Sequence, residues 1–193
     1  MKKIALCWSL AAVALSSGCS KDTLTSLANV SFFYTYREDL QLPPEATSGT
    51  ATSQPLPGGL TSLPLPAFTY TFSTGIDEIA ADNNTSREKL VSVKVDSLYM
   101  QAVAPSSQNF DFIDRVQLYV SATGVPEVLV GEKIPVPKGQ STLYLDAKDV
   151  ELKPYFLQDS ITLRVQATVN ALPALGTTVR FGNGYKITAN PLK

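Results

Sequence analysis

The sequence contains no histidine. That removes the side chain most used for proton transfer near neutral pH and the commonest metal ligand. Cysteine is almost as scarce, with only Cys7 and Cys19, and the single tryptophan is Trp8. Thiol and imidazole are therefore too few for a zinc site. No run of Lys or Arg follows Lys3, which excludes the basic clusters that nucleic acid or anionic lipid would need. Long helical periodicity is absent as well. Nucleophilic catalysis would have to rest on Ser/Lys, Thr/Lys or carboxylate pairs. There is no G-x-S-x-G and no S-x-x-K at a plausible helix start. The Gly-rich stretch Gly182-Asn183-Gly184 lies between strand-like runs, so it is not a phosphate loop. These gaps point away from an enzyme and away from a cofactor.

What is present is ordinary globular composition. The 193 residues are 44% hydrophobic and 17% charged, with formal net charge −1, enough for a real core. The N-terminus departs from this average. Lys2 and Lys3 precede an apolar run from Ile4 to Leu15, and Ser16-Ser17-Gly18 follows. This order of charge, apolar run and small residues is that of a secretory signal peptide over residues 1–18. The run is too short for a bilayer core, which needs roughly 20 residues. Without Lys2 and Lys3, 14 of the 16 basic residues remain against 17 acidic ones, a charge near −3. Cys7 and Trp8 leave with the leader, so no internal disulfide is available.

Ser17, Gly18 and Cys19 resemble the end of a bacterial lipobox, with Ser16 standing where that family favours Leu and Leu15 one step further back. The resemblance implies cleavage before Cys19, acylation of Cys19 and a membrane partner held through the lipid. Ser20 instead of Asp after the cysteine favours the outer membrane. Ser16 and Gly18 also satisfy ordinary signal peptidase, which would yield a soluble secreted protein. Residues 19–27 read as a tether. Its eight residues after the cysteine reach at most about 28 Å.

The remainder, residues 28–193, reads as one domain of alternating strands. Val30, Phe32, Tyr34 and Tyr36 share a face opposite Ser31, Phe33, Thr35 and Arg37, and period two with β-branched and aromatic residues marks a strand. Phe33 interrupts the polar face and is expected to be covered by another segment. Residues 41–66 hold six of the 13 prolines amid Thr, Ser and Gly and read as an extended surface loop. Phe68, Tyr70 and Phe72 alternate again; residues 76–87 read as polar turns. Val91, Val93 and Val95 are out of phase with Leu98 and Met100, so a bulge is expected near Asp96-Ser97. Val116, Leu118 and Val120 share one face. Pro135 and Pro137 mark residues 128–134 as an edge strand. Leu152, Phe156 and Leu157 fit a short helical turn. Ile161, Leu163, Val165, Ala167 and Val169 form the cleanest strand, and Asn183-Gly184 predicts a hairpin between residues 177–181 and 185–189.

These signals predict an all-β fold: a two-sheet antiparallel β-sandwich, immunoglobulin-like in general shape, with about eight strands and a long Pro/Thr/Ser-rich loop. A closed barrel is the alternative. Asp111, Asp114, Asp146, Asp149 and Glu151 could supply a carboxylate pair for sugar hydrolysis. Asp111 with Asp114, or Asp77-Glu78 with Asp82, could supply part of a calcium site; solvated loop carboxylates are the default. Tyr34, Tyr36, Tyr70, Tyr99, Tyr119 and Tyr144 are the rings left for a glycan platform. The expected role is a lipid-anchored, non-catalytic module of the cell envelope, structural or binding an envelope protein. The alternative is carriage of a lipid or hydrophobic molecule between the sheets.

Overall fold

The computed structural model describes residues 29–192; the leader, Cys19 and the tether lie outside them. Among the described residues there are twelve strands arranged mainly as two facing antiparallel sheets. The fold is an all-β sandwich, and no sheet closes into a barrel. The four-stranded sheet runs β1 (Val30–Gln41), β12 (Thr178–Ala189), β5 (Leu90–Ala104) and β8 (Thr142–Tyr144). In the facing sheet, β10 (Ser160–Val169) pairs with β6 (Ile113–Ala122), which pairs with β7 (Val125–Lys133), and two-residue β9 (Asp146–Ala147) ends that side. The other edge of β10 takes two strands in succession, β4 (Phe68–Ser73) and β3 (Leu63–Pro64). A separate pair joins β2 (Gln54–Pro55) to β11 (Ala171–Leu172).

Side-chain alternation sets which face each strand buries. In β10, Ile161, Leu163, Val165, Ala167 and Val169 are all buried, and in β6 so are Val116, Leu118 and Val120. The bulge in β5 falls at Asp96: Tyr185 pairs with Val95 and Gly184 with Ser97, leaving Asp96 unpaired and exposed. One extra residue shifts the phase by one, so Val93 before it and Leu98 and Met100 after it all point inward. A short helix, α2 (Lys153–Phe156), closes one end of the sandwich, with Pro154 in its first turn. Leu152, Tyr155 and Phe156 are buried there, and the Leu152 amide donates to the Val93 carbonyl.

Four expectations need correction. First, Gly182-Asn183-Gly184 is not a turn. It runs through the middle of β12, whose twelve residues pair with β1 from Thr178–Gln41 to Ala189–Val30. Positive φ occurs at other glycines and at Asn84, not at 182–184. The glycines serve close approach instead. Tyr99 of β5 lays its ring across Gly182, and the Ser97 side chain covers Gly184, so a Cβ at either place would collide with them. Second, Phe33 is uncovered and 66% exposed, beside Lys186 on the outer face. Third, residues 41–66 are largely exposed but tied down. Leu42 donates to the Thr177 carbonyl, Ser48 to Pro173 and Leu65 to Ala167, while Ala46, Leu56 and Leu65 are buried. These anchors turn a composition that reads as loop into strands β2 and β3, which is part of why the strand count exceeds eight. Fourth, the polar stretch after Gly75 begins with a helix, α1 (Ile76–Asp82), in which Ile76 and Ala80 are fully buried. Seven residues are too few to show a 3.6-residue period.

Replacing Gly182 with Val tests the close-approach account. The Tyr99 ring would have to leave its seat and its 6.0 Å contact with Tyr144. A loss of about 1–2 kcal/mol is expected in urea unfolding. Unchanged or increased stability, as β-propensity alone would give, would count against it.

Candidate functional site: an apolar cavity between the sheet edges

β1 and the β3–β4 pair are the edge strands on the same side of the sandwich, one in each sheet. Between them lies a cavity of about 170 Å3. Leu40, Val179, Phe181 and Met100 line it from the four-stranded sheet; Phe68, Tyr70, Ile113, Val165 and Ala167 line it from the other. The inward phase of each strand carries these residues there, for the same reason it fills the core. Gln41 and Thr69 are the polar residues of the wall. An apolar cavity of about 150 Å3 is known to stay dry and admit a benzene ring. This one is smaller than the roughly 300–1,000 Å3 of drug-sized sites, so it suits a short apolar group or the end of a chain.

At the neighbouring register step the surface becomes polar. Glu38 occupies an inward position on β1, opposite Phe181 and between Tyr36 and Leu40. The Tyr36 hydroxyl donates to the Glu38 carboxylate at 3.1 Å and also hydrogen-bonds with Tyr70. Burial, then these two partners, pushes the Tyr36 phenol well above its ordinary range. The Tyr36 ring stacks on Phe72 at 4.7 Å, and Phe72 on Tyr70 at 6.1 Å. No cation among the described residues forms an ion pair with Glu38. One step further, Asn183 is buried on the inward face of β12 opposite Tyr36, and its Oδ1 has no hydrogen-bond partner.

Of the acidic residues singled out from sequence, Asp77, Asp111, Asp114, Asp146, Asp149 and Glu151 are held by partners of their own. Asp146 pairs with Lys133 and Asp149 with Lys94. Asp111 accepts from the Gly139 amide and from Asn109, whereas Asp114 accepts from Asn170. Asp77 pairs with Arg87, which also binds Asp159. Glu151 takes the amides of Val93 and Lys153 and the Ser92 hydroxyl. Burial would raise its carboxyl, but these donors together hold it below the usual range. Among the described residues, no group of three or more acidic or cysteine side chains gathers where a metal could sit. Ser86 does precede a 3₁₀ turn ending at Lys89, so an S-x-x-K stands at a helical start after all. Lys89 donates to the Pro191 carbonyl and the Ser86 side chain bonds Glu88, so the two do not form a nucleophile–base pair. Of the tyrosines, Tyr34, Tyr36 and Tyr70 face inward. Tyr119 lies under the Arg164 guanidinium at 4.0 Å, and Tyr144 is 68% exposed.

Glu38 stands beside the cavity wall, next to Leu40, and was not singled out from the sequence; its one signal there is a charge continuing the apolar face of Phe32, Tyr34 and Tyr36.

These ionic arrangements set a pH profile. Hydrogen bonds from Arg180, Arg164, Lys148 and Lys94 lower Asp39, Glu127, Glu132 and Asp149 respectively. Their stabilisation is complete above the unfolded carboxylate range and lost as pH falls through the lowered values. Burial raises Tyr34, Tyr155 and Tyr185, and that contribution is lost only as pH rises through those raised values. With no histidine, the thermal midpoint should be flat from about pH 5 to 9 and fall below about pH 4. A step near neutrality in a melting series would refute this.

Fold and site together define the class: an all-β sandwich with an apolar cavity at one pair of sheet edges. The chain matches no protein-family model and no curated protein.

Proposed function

We propose that this protein is a non-catalytic binding module of the cell envelope, anchored through an acylated Cys19, which carries a hydrophobic molecule between its sheets. The observation that supports carriage is the apolar cavity beside β1 and β4. It is the most specific feature of the described residues, so carriage takes precedence over the structural or protein-interaction role. That second role draws on Phe33 and Tyr144, both exposed on the outer face of the four-stranded sheet. The volume sets the ligand: a short apolar group, or the end of an acyl chain whose remainder lies outside. The leader supports the envelope address and the membrane partner, and the outer membrane is the preferred location. The described residues contain no helix long and apolar enough to cross a membrane.

Native mass spectrometry checks carriage. Freshly purified full-length chain is expected to show a non-covalent adduct that organic extraction removes. Identical bare masses before and after extraction would count against it.

A further inference from the structure

We propose that the cavity takes an amphiphile with a cationic head: a short apolar chain inside and a primary or quaternary ammonium at the Glu38–Tyr36–Tyr70 end. This rests on the carrier reading and names the chemistry of the ligand. Three observations converge on it. The wall formed by Leu40, Phe68, Met100, Val165 and Phe181 offers an apolar chain nothing but dispersion and exclusion of water.

The end next to Phe181 has acceptors in excess of donors. Glu38 is a carboxylate on an inward position, served by the Tyr36 hydroxyl and by no cation of the described residues. An ammonium supplies both the charge that this carboxylate lacks and N–H groups for its free acceptor sites. The third observation concerns the surroundings. Tyr36, Phe72 and Tyr70 form a near-parallel stack beside the carboxylate, and aromatic rings next to a carboxylate favour ammonium groups over neutral ones.

An anionic head has no comparable seat. Arg37 projects from the opposite face of β1 by strand alternation, and Arg180 is held by Asp39 on that outer face. A fatty acid would therefore bring its carboxylate towards Glu38 and be repelled.

Calorimetric titration of the full-length chain with hexylamine, hexan-1-ol and hexanoate tests this, since all three are short enough to stay monomeric in water. Hexylamine is expected to bind roughly tenfold more tightly than hexanol, and hexanoate more weakly than either. In Glu38→Gln, hexylamine should fall to the level of hexanol while hexanol is unchanged. The wild-type ranking stands without the variant, so a variant that failed to fold would not rescue the proposal. Equal binding of hexylamine and hexanol would overturn the cationic head and leave carriage standing. Tighter binding of hexanoate would do the same. No binding of any probe at millimolar concentration would overturn both.

Discussion

Phe156→Ala is expected to cost about 3–5 kcal/mol of folding stability. Phe156 is 1% exposed, at the end of α2. Its ring meets Tyr185 edge-on, with centroids 4.9 Å apart and planes at 69°, and Tyr185 in turn stacks on Tyr34 at 6.4 Å. Truncation would leave a cavity where α2 closes the sandwich against β5 and β10, with strands on both sides too rigidly paired to collapse into it. Phe156→Leu retains most of the volume and should cost less, about 1.5 kcal/mol. Phe33→Ala is the matched control. The same side chain stands 66% exposed on β1, so its removal should change stability by less than about 0.5 kcal/mol. Urea unfolding of the three variants measures all of this. A Phe156→Ala cost no greater than that of Phe33→Ala would show that α2 is not part of the core.

The second large effect concerns the proposed anchor. Cys19→Ala is expected to abolish fatty-acid labelling and move the protein from the membrane to the soluble fraction. Each buried methylene adds about 0.8 kcal/mol, so one chain holds marginally and several hold almost permanently. The loss should therefore be close to complete. Cys7 would not substitute, because the proposed cleavage before Cys19 would remove it with the leader. With only the eight residues 20–27 between anchor and sandwich, the cavity would stay within about 28 Å plus the body's own span of the membrane surface. Unchanged fractionation with unchanged label would sink the anchor. A wild-type protein that carries no label and appears in the medium would instead be the secreted product of ordinary signal peptidase.

The two effects differ in where their grounds lie. Anchoring is argued from five consecutive residues, Leu15 to Cys19, because a processing signal is read as an extended peptide and needs no folded context. The core effect needs the fold. Strand alternation did expose much of that fold. In β1, β4, β6 and β10 each residue's face follows from its parity, so a one-dimensional pattern is enough. Even the bulge at Asp96 was visible as a phase slip between Val95 and Leu98. The short α2 was legible too, since Leu152 and Phe156 lie one turn apart.

Where the sequence misled, a distant neighbour decided the outcome. Gly182-Asn183-Gly184 carries the local signature of a tight turn, yet Tyr99 and Ser97, more than eighty positions earlier, occupy the space that side chains would fill. Phe33's chemistry alone calls for cover, but β1 is an edge strand and no layer of the described residues packs on its outer face. The candidate site shows the same division. Met100, Val165 and Ala167 of its lining were already expected on inward strand faces, whereas Leu65 stood in the stretch read as a surface loop. That they leave a cavity between β1 and β4 depends on how closely two sheet edges approach, which no residue encodes singly. Glu38 lay just past the residues read as the first strand, although alternation places its charge on that strand's apolar face. Its place beside Phe181, Tyr70 and the cavity came only from the pairing of β1 with β12 and the packing of one sheet on the other. The sequence by itself determined the class of fold and the parity of most strands, and it is the whole ground of the proposed envelope signal; all are properties of neighbouring residues. The tertiary structure decided strand order, the role of the β12 glycines and the cavity, because each is a contact between residues far apart in the chain.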